Sequence, residues 1–127
     1  MARGKRIVYF AEHPAVALIE ALVNLESNSG ILPDSYQLIK AEASDACSLS
    51  TLSPDHLPLD WQDKSVVTRA VGDNWLKTGR SALLAVPSVP SPESLNYLFN
   101  PQHADAATIR ILWCKRLTYD RRLFQIR

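Results

Sequence analysis

A chain of 127 residues with 46% hydrophobic and 21% charged residues has the composition of one small globular domain, which excludes a largely disordered protein. Its formal net charge of +1 argues against a strongly basic surface that binds nucleic acid directly. No apolar run reaches the roughly 18 residues that span a bilayer. We therefore expect a single cytoplasmic domain over residues 1–127 without membrane contact, with Cys47 and Cys114 reduced.

Turn-forming residues divide the chain into strands and helices. Pro14 fits the first turn of a helix that follows a first β-rich segment. A second helix has Ser65 as a suitable N-cap and Gly79 as a suitable end. Strands outnumber helices and no regular βαβ repeat appears, so the sequence predicts an α+β domain with a small mixed β-sheet and flanking helices. The predicted strands are 6–10, 36–43, 81–86 and 108–114, and the predicted helices are 14–26 and 65–77.

One carboxylate lies in an otherwise apolar part of the first helix. Between positions 15 and 25, only Glu20 and Asn24 are polar. Because they are four positions apart, they either form a narrow solvent-facing stripe or place Glu20 close to a core.

The segment between the second strand and the second helix has no regular pattern. Pro54 and Pro58 interrupt any helix there. The motif LPLDW is expected to hold this loop in place by burying Leu57, Leu59 and Trp61.

The common catalytic and cofactor motifs are absent from the sequence. There are four glycines and no glycine-rich phosphate loop, and no G-x-S-x-G nucleophile motif occurs. The three histidines have no carboxylate or cysteine at ligand spacing, so we expect no metal site. Any chemistry must therefore come from residues scattered along the chain.

Four segments in order resemble the RES domain, the toxin half of bacterial Xre/RES toxin–antitoxin pairs. They are VYFAEHPAVALIEALVNLE, TRAVGDNWL, LLAVPSVPSPESLNYLFNPQH and DRRLF, and together they span nearly the whole chain. The resemblance implies a fold similar to that of the ADP-ribosyltransferases, with NAD as the substrate in a cleft.

The resemblance also implies roles for particular residues. Cleavage of the nicotinamide–ribose bond builds positive charge on the sugar, and Glu20 fits the carboxylate that stabilises it. A tyrosine at the end of the first strand belongs to the same pattern, so Tyr9 either stacks on nicotinamide or packs at the sheet edge. Thr68 and Ser88 are further candidates for the NAD cleft. Ser65 and Ser81 fit structural roles better, at a helix start and a strand entry.

The chain departs from the family pattern at its start. The family carries an arginine in a GGRWN-like segment roughly a dozen residues before the tyrosine, and MARGKR contains no such segment. That arginine would hold the NAD pyrophosphate through its planar fork. Arg3 and Arg6 do not match the motif. A start at an internal methionine is the explanation we favour over a naturally shortened toxin or a degenerate copy.

The expected function is that of a toxin that degrades NAD by hydrolysis or phosphorolysis at the nicotinamide–ribose bond. Alternatives are an ADP-ribosyltransferase that modifies a protein and an inactive module that only binds its antitoxin. We expect an Xre-type antitoxin as partner, a homodimer within the complex, and DNA contact only through the antitoxin. The segment around Tyr97, Leu98 and Phe99 is either the antitoxin surface or part of the core.

Overall fold

The computed structural model describes residues 6–28, 34–63 and 65–124. Within them the chain forms two α-helices and two β-sheets, which confirms the α+β class. The strands are β1 (Val8–Ala11), β2 (Ser35–Ala43), β3 (Leu49–Thr51), β4 (Leu83–Pro87), β5 (Leu95–Phe99) and β6 (Ile109–Thr118), and the helices are α1 (Pro14–Asn28) and α2 (Ser65–Thr78).

The larger sheet has the strand order β1-β5-β4-β3. Its pairs are antiparallel except for the parallel pair of β3 and β4, so the sheet is mixed. Strand β4 is an inner strand, and four of its five residues are buried. This explains why LLAVP reads as a continuous apolar run instead of an alternating one.

The register of this sheet places a defined set of side chains on one face. Leu98 pairs with Tyr9 on β1 and with Leu84 on β4, while Asn96 pairs with Val86. Directly paired residues point to the same side of a sheet, and so do residues two apart along a strand. Ser88, two positions beyond Val86, therefore follows the same face as Asn96.

Helix α2 covers part of this face and forms the core with it. Trp75 and Leu76 from the helix pack with Leu84 and Leu98 from the sheet, and each of the four is buried. The indole N–H of Trp75 donates to the Ser81 hydroxyl at 3.0 Å, so this buried polar group is satisfied.

Helix α1 follows β1 after a short turn and begins at Pro14, as predicted from the sequence. The imidazole Nδ1 of His13 accepts a hydrogen bond from the backbone N–H of Ala15 at 3.0 Å, so His13 caps the helix. Glu12 then connects this turn to β5, because its Oε1 accepts from the backbone N–H of Leu95 at 2.8 Å. The start of α1 is thereby fixed beside the strand that carries Asn96.

The second sheet is a two-stranded antiparallel ribbon of β2 and β6. Its register shifts between Lys40 and Ala41, which leaves Leu112 as the extra residue of a bulge. Several large apolar side chains of the ribbon are exposed, among them Ile39, Ile111 and Leu117.

Three sequence predictions need correction. Strands β3 and β5 were not predicted, because β3 has only three residues and β5 follows directly on a loop rich in proline and serine. Leu59 is fully exposed, whereas Trp61 of the same motif is 6% exposed. Of the three apolar side chains predicted to hold the loop, Trp61 is therefore buried and Leu57 is half-buried, while Leu59 is not covered.

The segment around Tyr97 belongs to the core. It forms β5, which has a partner strand on both sides, and Leu98 and Phe99 are buried. Of the two interpretations of this segment, the structure supports core packing for Leu98 and Phe99, while Tyr97 is half-buried.

Candidate functional site

A cavity of about 490 Å³ lies between the face of the larger sheet that carries Asn96 and the two helices. Sites for small molecules typically have volumes of about 300–1,000 Å³. Strands β1, β4 and β5, both helices and the loop around Trp61 all contribute to its wall. The lining residues are Ile7, Tyr9, Phe10, Ala11, Ala17, Glu20, Asn24, Leu57, Trp61, Thr68, Arg69, Gly72, Asp73, Val86, Pro87, Val89, Asn96 and Leu98.

Glu20 is the carboxylate of α1 on this wall, and its side chain is half-buried. Its Oε2 accepts hydrogen bonds from the Ser88 hydroxyl, at 3.3 Å, and from the side-chain amide of Asn96. Its Oε1 accepts none from the described residues. Glu20 is therefore a carboxylate fixed through one oxygen, whereas Asn24, four positions further along the helix, is exposed.

Ser88 is fully buried and comes directly after β4. Its backbone N–H donates to the carbonyl of Ser94 at 2.9 Å, which extends the β4–β5 pairing by one residue pair. The hydroxyl thus lies behind Glu20 and does not reach the cavity wall. The role of Ser88 in binding NAD stays a prediction. The contact that the structure shows is its hydrogen bond to Glu20.

Asn96 is a functional candidate that the sequence reasoning did not identify. Its amide N–H₂ donates to Glu20, and its Oδ1 is buried without a hydrogen-bond partner in the described part of the chain. Unsatisfied buried polar atoms are rare in folded proteins and call for an explanation. An acceptor on the wall of a cavity is available to an N–H or O–H group of a bound molecule.

Aromatic side chains form another part of the wall. Tyr9 is on the edge strand β1 and is 66% exposed, so its ring is accessible from the cavity. Trp61 is 6% exposed and lines the cavity from the loop before α2. A planar aromatic ligand could stack on such surfaces. The stacking role of Tyr9 remains a prediction, but its exposure is not that of a packed edge residue.

Helix α2 contributes polar side chains from one of its faces. Thr68 is half-buried on the cavity wall, in agreement with its predicted position in the cleft. Arg69 follows it on the same wall. Arg6 is exposed and is not among the lining residues, while Arg3 lies outside the described residues. Of the four predicted site residues, the structure brings Tyr9, Glu20 and Thr68 to one wall, with Ser88 behind it. Their binding and catalytic roles are still predictions.

Within the described ranges, no three histidine, cysteine, aspartate or glutamate side chains come together as a group that could hold a metal ion. None of the helices described is both long and apolar enough to cross a membrane.

Comparison with known proteins identifies relatives over most of the chain. The family model described as the RES domain matches residues 2–122. A protein of a Sphingobium species named Prs ADP-ribosylating toxin is 37% identical over 126 residues, covering 96% of this chain and 77% of the relative. A protein named Toxin Res from Pseudomonas putida is 36% identical, covering 95% and 81%, and one of the same name from Yersinia enterocolitica is 29% identical, covering 84% and 69%.

Proposed function

Because the chain belongs to the RES-domain family, we propose that it is a toxin that cleaves NAD between nicotinamide and ribose. The observation that carries the proposal is the Glu20 carboxylate, which two donors hold at one oxygen on the wall of a cavity of about 490 Å³. The names of the relatives in Sphingobium and Pseudomonas putida support the toxin assignment.

The residue types fit the charge change in this reaction. When the bond between ribose C1′ and the nicotinamide nitrogen breaks, its electron pair leaves with nicotinamide and positive charge develops on the ribose. A preorganised negative group at that position stabilises the transition state more than the ground state. Glu20 provides this group.

Ser88 and Asn96 act on the substrate through Glu20. Both donate to Oε2, so the carboxylate is oriented before the substrate binds, and Oε1 is left for the ribose. Hydrogen bonds from neutral donors to a charged group are worth about 1.5–3 kcal/mol each. Tyr9 is on β1, the strand that pairs with β5, and its ring lines the cavity. The nicotinamide stacks on this ring.

The acceptor of the ribose determines which product forms. Attack by water, with loss of its proton, gives ADP-ribose, and attack by phosphate gives the 1″-phosphate of ADP-ribose. A protein side chain as the nucleophile would give an ADP-ribosylated target. This second candidate is favoured by the relative named Prs ADP-ribosylating toxin, which is 37% identical.

We also propose an Xre-type antitoxin as the partner and a homodimer as the toxin's form in the complex. The relatives are named as toxins, which supports a toxin but not a particular antitoxin. The Xre type follows from the resemblance of the sequence segments, and the homodimer from the two-fold symmetry usual in small homo-oligomers. An inactive module that only binds the antitoxin is the remaining alternative, and it predicts partner binding without loss of NAD.

Product analysis tests the proposal directly. The purified chain is incubated with NAD, with and without added phosphate, and the products are separated by chromatography and identified by mass. We expect nicotinamide in both reactions. Without phosphate, the second product is ADP-ribose. With phosphate, it is the 1″-phosphate of ADP-ribose if phosphate is the acceptor. Nicotinamide that appears only when a protein acceptor is present, together with a matching mass increase of that protein, would favour transfer. If NAD stays intact without phosphate, with phosphate and with an added protein acceptor, the proposed activity is wrong.

A further inference from the structure

Arg69 on helix α2 is the basic side chain on the cavity wall among the residues that the structure describes. The other charged lining residues in these ranges are Glu20 and Asp73, which are both acidic. Two carboxylates on a cavity wall repel an anionic ligand unless a positively charged group lies close to it. Among the charged lining residues described, Arg69 is therefore the one that can attract a phosphate group.

The position of Arg69 on the helix directs it toward the cavity. Thr68 and Gly72 are four residues apart, as are Arg69 and Asp73, and all four line the cavity. Residues at this spacing lie one above the other on a helix face. A whole face of α2 thus borders the cavity, and Arg69 belongs to it.

Arg69 is also available to bind a ligand. Its side chain is exposed and forms no ion pair or hydrogen bond with another residue of the described ranges. By contrast, Arg110 pairs with Glu42 at 3.0 Å and Arg122 pairs with Asp120 at 2.6 Å. A guanidinium group offers two parallel donors that match the oxygen atoms of a phosphate.

We propose that Arg69 binds the diphosphate of the dinucleotide and makes the site selective for NAD over nicotinamide nucleosides without phosphate. This inference rests on the proposed function, since it assigns a residue to the diphosphate half of the same substrate. Glu20 on α1 and Arg69 on α2 then act on separate parts of one molecule.

The test compares Arg69→Gln with wild type on two substrates, NAD and nicotinamide riboside. Loss of one hydrogen-bonded charge contact is expected to raise KM for NAD about tenfold. The KM for nicotinamide riboside should not change, because that compound has no diphosphate, and kcat should change little for either substrate. Arg69→Lys keeps the charge without the planar fork and should recover part of the loss.

Binding of ADP-ribose, measured by calorimetry, gives a readout that does not depend on turnover. We expect Arg69→Gln to weaken this binding about tenfold. Arg116→Gln serves as the control, because Arg116 is exposed on β6 and is not a cavity residue. Thermal unfolding should be the same for wild type and both variants.

The outcomes separate this inference from the proposed function. NAD cleavage with an unchanged KM and unchanged ADP-ribose binding in Arg69→Gln would overturn the role of Arg69 alone. ADP-ribose binding that depends on Arg69, without any nicotinamide release from wild type, would support the diphosphate contact and reject the proposed reaction. If wild type does not bind ADP-ribose, the inference fails.

Discussion

Two neutral donors from neighbouring strands reach the same oxygen of Glu20. Ser88 comes directly after β4 and Asn96 lies on β5, so the position of the carboxylate depends on how these strands pair. Because both donors restrict a single group, their contributions to catalysis should not be independent. Losing either one removes part of the restraint on the carboxylate.

Replacing Asn96 by leucine keeps the branched shape of the side chain and removes both its N–H₂ donor and its Oδ1 acceptor. We expect Asn96→Leu to lower kcat by roughly 10–100-fold, because a hydrogen bond to a charged group is worth about 1.5–3 kcal/mol. The KM for NAD should change less than kcat, and any rise in KM would report a contact between the Asn96 Oδ1 and the substrate. Steady-state nicotinamide release measures both quantities.

Ser88→Ala is the companion variant. The bond from Ser88 is long, at 3.3 Å, so its loss should lower kcat less than the loss of Asn96 does. The double variant should be less impaired than the product of the two single effects. A kcat for Asn96→Leu equal to that of wild type would show that Asn96 does not position Glu20.

Sequence reasoning identified Glu20 but missed Asn96, for a physical reason. A carboxylate in an apolar helix is conspicuous within a single turn of chain, whereas Asn96 lies in a stretch rich in polar residues. Its proximity to Glu20 follows from the register that pairs it with Val86. That register is a long-range property, which no local pattern contains.

At the scale of elements, α2 ends at a glycine with a left-handed backbone. Gly79 has φ +62°, and its N–H donates to the carbonyl of Trp75 at 3.2 Å. The sequence predicted this end correctly because only glycine adopts this conformation without strain. A short strand such as β3 could not be predicted, since three residues carry no periodicity.

Two glycine-to-alanine substitutions, one inside α2 and one directly after it, should have opposite effects on stability. Gly79→Ala should reduce the free energy of unfolding by about 1 kcal/mol, because alanine is disfavoured in the left-handed region. No atom lies within 4 Å of the added Cβ, so no steric clash adds to this cost. Chemical denaturation measures the change.

Gly72→Ala is the matched control inside the helix. The added Cβ would be 3.5 Å from Leu98 Cδ1, which is ordinary contact, and alanine should gain up to about 1 kcal/mol of helix propensity. Equal stability of Gly79→Ala and wild type would contradict the left-handed end of α2.

At the scale of the whole molecule, Asp105 connects the chain before β6 to the edge of the larger sheet. Its Oδ2 accepts from the backbone N–H of Ser48 at 3.1 Å, and the Ser48 hydroxyl accepts from the N–H of Ala82 at 2.9 Å. Hydrogen bonds from the side chain and backbone of Ser48 lower the pKa of Asp105 below its usual 3.8, with a smaller contribution from His103.

This connection predicts part of the pH dependence of stability. Because the pKa of Asp105 is lower in the folded protein, its contribution is complete above the ordinary pKa and is lost as the pH falls through the folded value. Asp105→Asn should therefore be less stable than wild type at about pH 7, and the difference should shrink at about pH 3. Denaturant unfolding at the two pH values measures both free energies.

Asp45→Asn provides the comparison for this pH experiment, because Asp45 is exposed in the turn after β2. It should match wild type at both pH values. If the free energies of unfolding of Asp105→Asn and wild type differ by the same amount at both pH values, the ionised form of Asp105 does not stabilise the contact with Ser48.

For the molecule as a whole, the sequence predicted the α+β fold class and the family, but not the arrangement of the strands in two sheets. The four segments in order indicated the RES family, and the family model confirms it. The separation of β2 and β6 into a ribbon of their own depends on pairing between residues 35–43 and 109–118. Such pairing joins distant parts of the chain and leaves no local signature.

Nicotinamide release from NAD by wild type and by Glu20→Gln tests the central claim most directly. Glutamine keeps the shape of Glu20 and removes its charge, so release should fall by about 100-fold or more while thermal unfolding stays unchanged. Glu42→Gln, which removes an exposed carboxylate from β2, should release nicotinamide at the wild-type rate. Release by Glu20→Gln as fast as by wild type would contradict the assignment of Glu20 as the group that stabilises the ribose charge.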